Sequence, residues 1–408
     1  MIEANNVYKV FGRKAEAGVR RLKAGETRDD LRDAGLTAAV IDASFSVKEG
    51  EIFVVMGLSG SGKSTLIRMA NGLFMPTDGS VKLAGHELKS LSARALRKVR
   101  RDSVSMVFQH FALLPHRTVG DNAAYALKLN GMNRADREKR ADDALSLVGL
   151  GGWGGSMPDE LSGGMRQRVG LARALAAGTD LILMDEAFSA LDPLIRREMQ
   201  DQLVELQHRF DKTILFITHD LNEAMRLGDR IAMMRDGQIV QIGTSEQILN
   251  DPANDYVAQF VQDVDRTRVL TASSVMEAPV AVLGSEQGPR SAHKLIRENQ
   301  MSALMVVDRD RRLRGVVMEA DIAKAVEAGE DSLGSILQPA VVVAPDVAVA
   351  DLFTASAESP AALAVVDGDR LVGVIPRVTL LNALGSVAGP AVTSVGDPDA
   401  ASSEGAHA

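Results

Sequence analysis

Over roughly the first two-thirds of the chain, short unbroken apolar runs alternate with longer stretches whose apolar residues recur at helical spacing. Ile52–Met56, Leu181–Met184 and Thr213–Thr218 consist almost wholly of Ile, Val, Leu, Phe, Met and Thr. With no polar face in alternation, such runs predict parallel strands covered by helices on both sides, hence an α/β fold. Leu88–Arg101 and Asn133–Val148 are helical in period and densely charged, which predicts a helical lobe set apart from the sheet. Gly12–Thr37 breaks the pattern with a charged, Arg-rich segment, also predicted helical.

Near Arg266 the texture changes to short Val/Ala-rich strands, and a repeat emerges. Ser302-Ala-Leu-Met-Val-Val-Asp308 is echoed by Ala361-Ala-Leu-Ala-Val-Val-Asp367. Each copy continues through a turn into a second strand, at Gly315-Val-Val and Gly373-Val-Ile, and then a helix. Two strand–turn–strand–helix units predict a small α+β module, made by duplication and spanning 266–386. The first domain then spans 1–265, and the small, polar, acidic tail, 387–408, is predicted to be disordered.

Length and composition narrow the options. A chain of 408 residues, 46% hydrophobic and 25% charged, is globular and long enough for two or three domains. With 46 basic and 54 acidic side chains the formal charge is −8, which argues against a nucleic-acid partner. The absence of Cys excludes disulfides and thiolate metal sites, and a reducing compartment is expected. No apolar run reaches the ~18 residues of a membrane span, and no apolar leader segment opens the sequence. Any membrane contact is therefore expected to go through a partner.

The chemistry concentrates in four places. Gly57-Leu-Ser59-Gly60-Ser61-Gly62-Lys63-Ser64-Thr65 fits G-x-x-x-x-G-K-[ST] and stands between a predicted strand and a predicted helix, the context that a phosphate loop requires. Its glycines let backbone N–H groups turn toward phosphates at a helix N-terminus. Lys63 supplies a charge for the β- and γ-phosphates, and the Ser64 hydroxyl is a Mg2+ ligand. Leu181-Ile-Leu-Met-Asp185-Glu186 is an apolar strand ending in two carboxylates. Asp185 is placed to hold Mg2+, and Glu186 to serve as base for an attacking water. Leu161-Ser162-Gly163-Gly164-Met165-Arg-Gln-Arg168 opens another helix with a Ser/Gly-rich N-terminus. An ordinary helix cap accounts for it; the sharper reading is a cradle that closes over the nucleotide of a second copy. His219 and Gln109 follow predicted strands, at the ends that face the ligand crevice of a parallel sheet. Phe11 can be core or can stack on a base.

Together these motifs resemble the ATPase subunit of an ABC transporter, in order and in approximate spacing. The resemblance implies a P-loop NTPase fold, with a RecA-like core and a helical subdomain at about 88–170 carrying the signature. It makes Gly57, Ser59, Gly60, Ser61, Gly62, Lys63, Ser64 and Thr65 the Walker A cradle and Gln109 the Q-loop residue. Ser162, Gly163 and Gly164 become the signature acting across a dimer, Asp185 and Glu186 the Walker B acid and catalytic base, Asp192 the D-loop aspartate and His219 the switch histidine. Ser64, Gln109 and Asp185 are the implied Mg2+ set, and Phe11 or nearby Tyr8 the residue that stacks on adenine. Three features resemble the quaternary-amine (glycine betaine/proline betaine) importers more closely: the insertion 12–37, the run Met184-Asp-Glu-Ala-Phe-Ser-Ala-Leu-Asp-Pro-Leu-Ile-Arg196, and a C-terminal repeat resembling a tandem CBS pair. Of the ribose-binding pattern of CBS domains only Asp321 survives. Met318 and Pro376 stand at the paired positions and Thr379 replaces the second Asp, so nucleotide sensing competes with a structural or electrostatic role.

The resulting expectation is an ATP- and Mg2+-using motor on the cytoplasmic face of the inner membrane, peripheral, working as a head-to-tail pair. A transmembrane permease and an extracytoplasmic solute-binding protein are the expected partners, and a compatible solute such as glycine betaine the cargo. The rivals are an importer ATPase for another solute and a soluble ABC ATPase whose CBS pair senses a ligand.

Overall fold

The apolar runs of the sequence become the inner strands of a six-stranded sheet. In chain order the first unit contains β1 (Ile2–Phe11), β2 (Thr37–Val47), β3 (Ile52–Met56), β4 (Asp78–Leu83), β5 (His86–Glu87), β6 (Val104–Phe108), β7 (Leu181–Asp185), β8 (Thr213–Thr218), β9 (Arg230–Arg235) and β10 (Gln238–Gly243). The main sheet runs β10-β9-β3-β8-β7-β6, parallel except for the edge strand β10. Every residue of β3 and β8 is buried, the signature of strands covered on both faces. The computed structural model describes residues 1–262, 266–279, 282–284 and 287–385 and divides into units Met1–Val264 and Asp265–Ala408. The predicted tail, 387–408, lies outside the described residues.

An antiparallel sheet, β2-β1-β4-β5, packs Ile2, Val7, Val40, Phe45 and Leu83 onto the same core as Phe53, Leu66 and Leu215. The register of the main sheet brings several strands to a common carboxyl edge: Met56 pairs with Thr218, Asp185 with Ile217, and Phe108 with Asp185. In parallel α/β sheets that edge is where ligands bind.

One expectation is corrected. Leu88–Arg101 does not belong to a separate lobe: the helix Ala93–Ser103 lies against the sheet core, with Leu88 and Leu96 buried in it and Leu91 and Val99 packed beside them. Leu88 and Leu91 belong to the short 3-10 turn before the helix, and Leu96 and Val99 lie on the inner face of the helix itself. These few apolar positions suffice for docking, and the dense charge occupies the outer face. The helical lobe is built instead by Val119–Ala123, Tyr125–Leu129, Arg134–Leu147 and Gly163–Ala177. The insertion forms helices Ala15–Lys23 and Arg28–Asp33, which close over Tyr8, Val10, Ala38 and Ile41 through Val19, Leu31 and Leu36.

In the second unit the repeat appears twice in three strands. β11 (Val282–Gly284), β12 (Ala303–Val307) and β13 (Leu313–Met318) form one sheet, and β14 (Val342–Val343), β15 (Leu363–Asp367) and β16 (Arg370–Ile375) the other. Each has one parallel and one antiparallel pairing. Met305, Val307 and Val316 pack against Ala364, Leu371 and Val374, which joins the two copies.

Candidate nucleotide site

The turn from β3 into the helix Lys63–Ala70 leaves no room for side chains at two points. A Cβ on Gly57 (φ 155°) would stand 2.1 Å from the Met234 carbonyl oxygen, and one on Gly62 (φ 105°) 2.2 Å from that of Ala39. The loop is thus wedged between β2 and β9, with Ser61 buried and Ser59 and Gly60 exposed. The Lys63 ammonium donates to the carbonyls of Gly57 (2.7 Å) and Leu58 (3.1 Å). Burial pulls its pKa below the usual lysine range, opposed by the nearby carboxylates of Glu186 and Asp185. The positive charge is therefore held inside the loop. Thr65 closes the first helical turn, its N–H on the Gly62 carbonyl at 3.0 Å.

Asp185 ends β7, and the Ser64 hydroxyl donates to its Oδ1 at 3.3 Å. Burial raises the Asp185 pKa, and Glu186 adds to this, while the Ser64 hydrogen bond, Arg68 and Lys63 oppose it. A hydroxyl and a carboxylate so close are the hard oxygen donors that Mg2+ takes. A buried carboxylate whose charge is only partly offset has most to gain from a cation.

Beside this pair the side chains at the ends of β6, β7 and β8 form one network. Gln109 Nε2 donates to Glu186 Oε2 (3.4 Å) and to Ser189 Oγ (3.2 Å), and His219 Nδ1 lies 3.2 Å from the same Glu186 oxygen. Ser189 Oγ donates in turn to the Glu186 carbonyl at 2.9 Å. Glu186 has φ 45°, a left-handed conformation that costs a non-glycine residue about 1 kcal/mol or more. The structure thus brings Lys63, Ser64, Gln109, Asp185, Glu186 and His219 to one sheet edge.

Ser162, Gly163 and Gly164 stand elsewhere. Ser162 caps the helix Gly163–Ala177 by accepting the Met165 N–H at 3.3 Å. A Cβ on Gly164 would lie 2.8 Å from Ile195 Cγ2, in the first turn of the helix Pro193–Phe210, which Asp192 caps through the Ile195 N–H at 3.1 Å. Among the described residues none of these three hydrogen-bonds to the phosphate loop of its own chain.

Two contributors had no role assigned to them from the sequence, although Ser189 opens the D-loop run Ser189-Ala-Leu-Asp192. Ser189 bridges Gln109 and the Glu186 backbone. Arg173, on the helix that follows the signature, donates to the carbonyls of Ala112 (2.6 Å) and Phe111 (3.2 Å). Both of those residues have positive φ (46° and 58°), so a half-buried arginine holds strained backbone just beyond Gln109. An arginine in an amphipathic helix looks like any other surface charge until its partners are known.

Phe11 ends β1 with 38% exposure and its ring edge-on to Phe74 at 5.6 Å. Tyr8 is 7% exposed, covered by the insertion and by the Lys23 ammonium 5.1 Å from its ring centroid. Of the two aromatics, Phe11 is the one that offers a ring to a base.

Next to the end of β6 runs an open groove of about 1020 Å³, lined by the apolar residues Phe108, Tyr125 and Leu129 and by Arg94, Arg97, Lys98 and Arg101. In the second unit a cavity of about 460 Å³ is lined by Glu277, Met301, Ser302, Pro360 and Arg377. Outside that lining, the Asp321 carboxylate accepts from Gln338 Nε2 at 2.8 Å, and the Thr379 hydroxyl donates to the lining residue Glu277 at 2.5 Å. The groups that a ribose needs are thus engaged within the module.

Comparison with known proteins gives a consistent picture. The ABC transporter family matches residues 40–189 and the CBS domain family residues 272–328. The chain is 50% identical to the glycine betaine/carnitine transport ATP-binding protein GbuA of Listeria monocytogenes, over 94% of this chain and 97% of the relative. It is 47% identical to the glycine betaine transport ATP-binding protein OpuAA of Bacillus subtilis, over 94% and 92%, and 45% identical to the glycine betaine/proline betaine ATP-binding protein ProV of Escherichia coli, over 94% and 97%. Among solved structures, a dimeric ATP-binding cassette in a post-hydrolysis state with ADP and Pi aligns with TM-score 0.51 and 32% identity, covering 60% of this chain and 99% of that one.

Proposed function

The chain belongs to the ABC transporter ATP-binding proteins, in the group that includes the glycine betaine transport subunits, and from that premise we propose that it powers import of a quaternary-amine compatible solute through a membrane permease. The observation that carries this reading is the joining of the Gln109–Glu186–His219 network to the Ser64–Asp185 pair and Lys63 at one sheet edge. A phosphate loop, a hard-ligand pair and a positioned carboxylate are the parts that ATP hydrolysis needs.

In this reading ATP lies with its base on Phe11 and its phosphates in the backbone cradle Gly57–Thr65, with Lys63 on the β- and γ-phosphates. Mg2+, which Ser64, Asp185 and the Gln109 side-chain oxygen would hold, supplies charge neutralisation at those phosphates. Glu186 takes the proton of the attacking water, and His219 holds the Glu186 carboxylate in place. Ser162, Gly163 and Gly164 act on the nucleotide of a second copy, because a Ser-capped helix N-terminus attracts phosphate. That none of the three hydrogen-bonds to the loop of its own chain, and the dimeric relative, support a head-to-tail pair closed over two ATP. Asp192 fixes the turn that stands beside the signature helix.

No helix among the described residues is long and apolar enough to cross a membrane, so the proposed seat is peripheral, on the cytoplasmic face. The groove next to the end of β6 suits a cytoplasmic helix of the permease, with apolar residues for its apolar lining and acids for its basic side chains. Import further calls for an extracytoplasmic solute-binding protein. In the CBS pair, the internal engagement of Asp321 and Thr379 supports a structural or electrostatic role over adenine-nucleotide sensing.

The test is reconstitution with the permease and binding protein in vesicles, followed by measurement of labelled glycine betaine uptake. The expected result is ATP-dependent uptake that Glu186→Gln abolishes. Steady ATP hydrolysis with no quaternary-amine uptake would overturn the assignment of cargo.

A further inference from the structure

The insertion 12–37 reaches the phosphate loop. Arg28, the first residue of the helix Arg28–Asp33, donates through Nη2 to the Gly60 carbonyl (3.1 Å) and through Nη1 to Asp236 Oδ1 (3.2 Å). We propose that Arg28 is a positioning residue for ATP binding, holding the phosphate loop from outside in its phosphate-ready shape.

Arg28 stands on a firm base. Thr27 caps its helix in a capping box with Asp30, and Leu31, fully buried, ties the helix to Val10, Val19 and Leu36. A Cβ on Gly18 would meet Leu36 and Val10 at 3.1 Å, so the insertion is packed close against β1. The guanidinium thus projects from a fixed platform, leaving its planar fork to bridge two loops.

Its target is the most adaptable part of the loop. Gly60 has φ 79°, and nothing lies within 4 Å of where its Cβ would be, so no packing holds it. Its carbonyl is nevertheless pinned by Arg28, and the next carbonyl, Ser61 O, by the Gly237 N–H at 3.0 Å. In a trans peptide the C=O and N–H point in opposite directions. Two outward carbonyls fixed in succession therefore aim the N–H groups of Ser61 and Gly62 inward, where phosphate oxygens are received. The Ser61 N–H accordingly spans the loop to the Leu58 carbonyl at 3.2 Å. A loop already so arranged surrenders less conformational entropy on binding, and preorganisation of this kind acts on affinity.

This inference rests on ATP occupying the phosphate loop, and its test separates the two. MgATP titration of the full chain should give a dissociation constant about tenfold higher for Arg28→Ala, part of what one charge-assisted hydrogen bond is worth. KM for ATP should rise in parallel, with kcat at saturation within about twofold of wild type. Arg28→Lys, which keeps one charged donor, should recover part of the loss and also serves if the alanine variant folds poorly. Asp236→Ala removes the other anchor but leaves Gly60 within reach, and should bind ATP nearly as tightly as wild type. Wild-type affinity in Arg28→Ala, or an equal loss in Asp236→Ala, would overturn the positioning role and leave a plain structural anchor. ATP binding unimpaired in Lys63→Ala would instead overturn the reading of the loop itself.

Discussion

His219 Nδ1 lies 3.2 Å from Glu186 Oε2, and the Glu186 N–H donates to the carbonyl of Ile217, two residues before His219, at 2.9 Å. One neighbouring strand thus holds Glu186 by both its backbone and its carboxylate. The positive φ of Glu186 turns the side chain out of the strand pattern, and the contact with His219 offsets part of that strain. His219→Ala should leave ATP binding intact and lower turnover about 100-fold, the lower end of what general acid–base machinery contributes. Steady-state ATPase assays beside nucleotide titration check it.

Phe11→Ala should weaken ATP affinity by about 1–3 kcal/mol, by analogy with base–aromatic stacking, while turnover at saturation changes little. Tyr8→Ala empties a site in a buried cluster and should lower the thermal midpoint with affinity nearly unchanged. A loss of affinity confined to the Tyr8 variant would transfer the stacking role.

Ser162→Arg puts a bulky cation where, in the proposed head-to-tail pair, the signature meets the γ-phosphate of another copy. The variant should bind ATP yet neither dimerise nor hydrolyse it. Mixed with Lys63→Ala, it gives dimers with one intact site and one doubly damaged site, so nucleotide should be trapped at one site per dimer. Equal occupancy of both sites would contradict the head-to-tail arrangement.

Much of this was legible in the sequence because parallel strands advertise themselves as unbroken apolar runs, and because phosphate chemistry needs Gly, Lys, Ser and Asp at fixed spacing. The pairing of Gln109 with Glu186 was not legible, since it depends on the order β8-β7-β6, which no local pattern encodes. Leu88–Arg101 misled because charge density on an outer face outweighed a few apolar positions, two of them in the turn before the helix. Arg28 and Arg173 escaped for a related reason: both are ordinary charged helix residues whose partners are backbone carbonyls far away in sequence.

Glu223 gives a pH-dependent prediction. It is 5% exposed, hydrogen-bonded by Gln200 Nε2 at 3.0 Å, and burial raises its pKa against the hydrogen bonds that favour its charge. The folded state therefore holds the proton more tightly than the unfolded chain. The stability this group contributes is present below the ordinary glutamate range and is lost as pH climbs through the raised value. Glu223→Gln, which stays neutral, should melt above wild type at about pH 8, with the gap closing toward about pH 4.5. Thermal melts across that range check it; a constant gap would mean that the charge is not what matters.

In the proposed cycle Glu186 activates water at a nucleotide enclosed by two copies of the chain. Its most direct test is size analysis and bound-nucleotide measurement of Glu186→Gln with MgATP. The expected result is a stable dimer holding two ATP, with hydrolysis nearly abolished. A variant that turns over ATP at the wild-type rate, or binds it and remains a monomer, would contradict it.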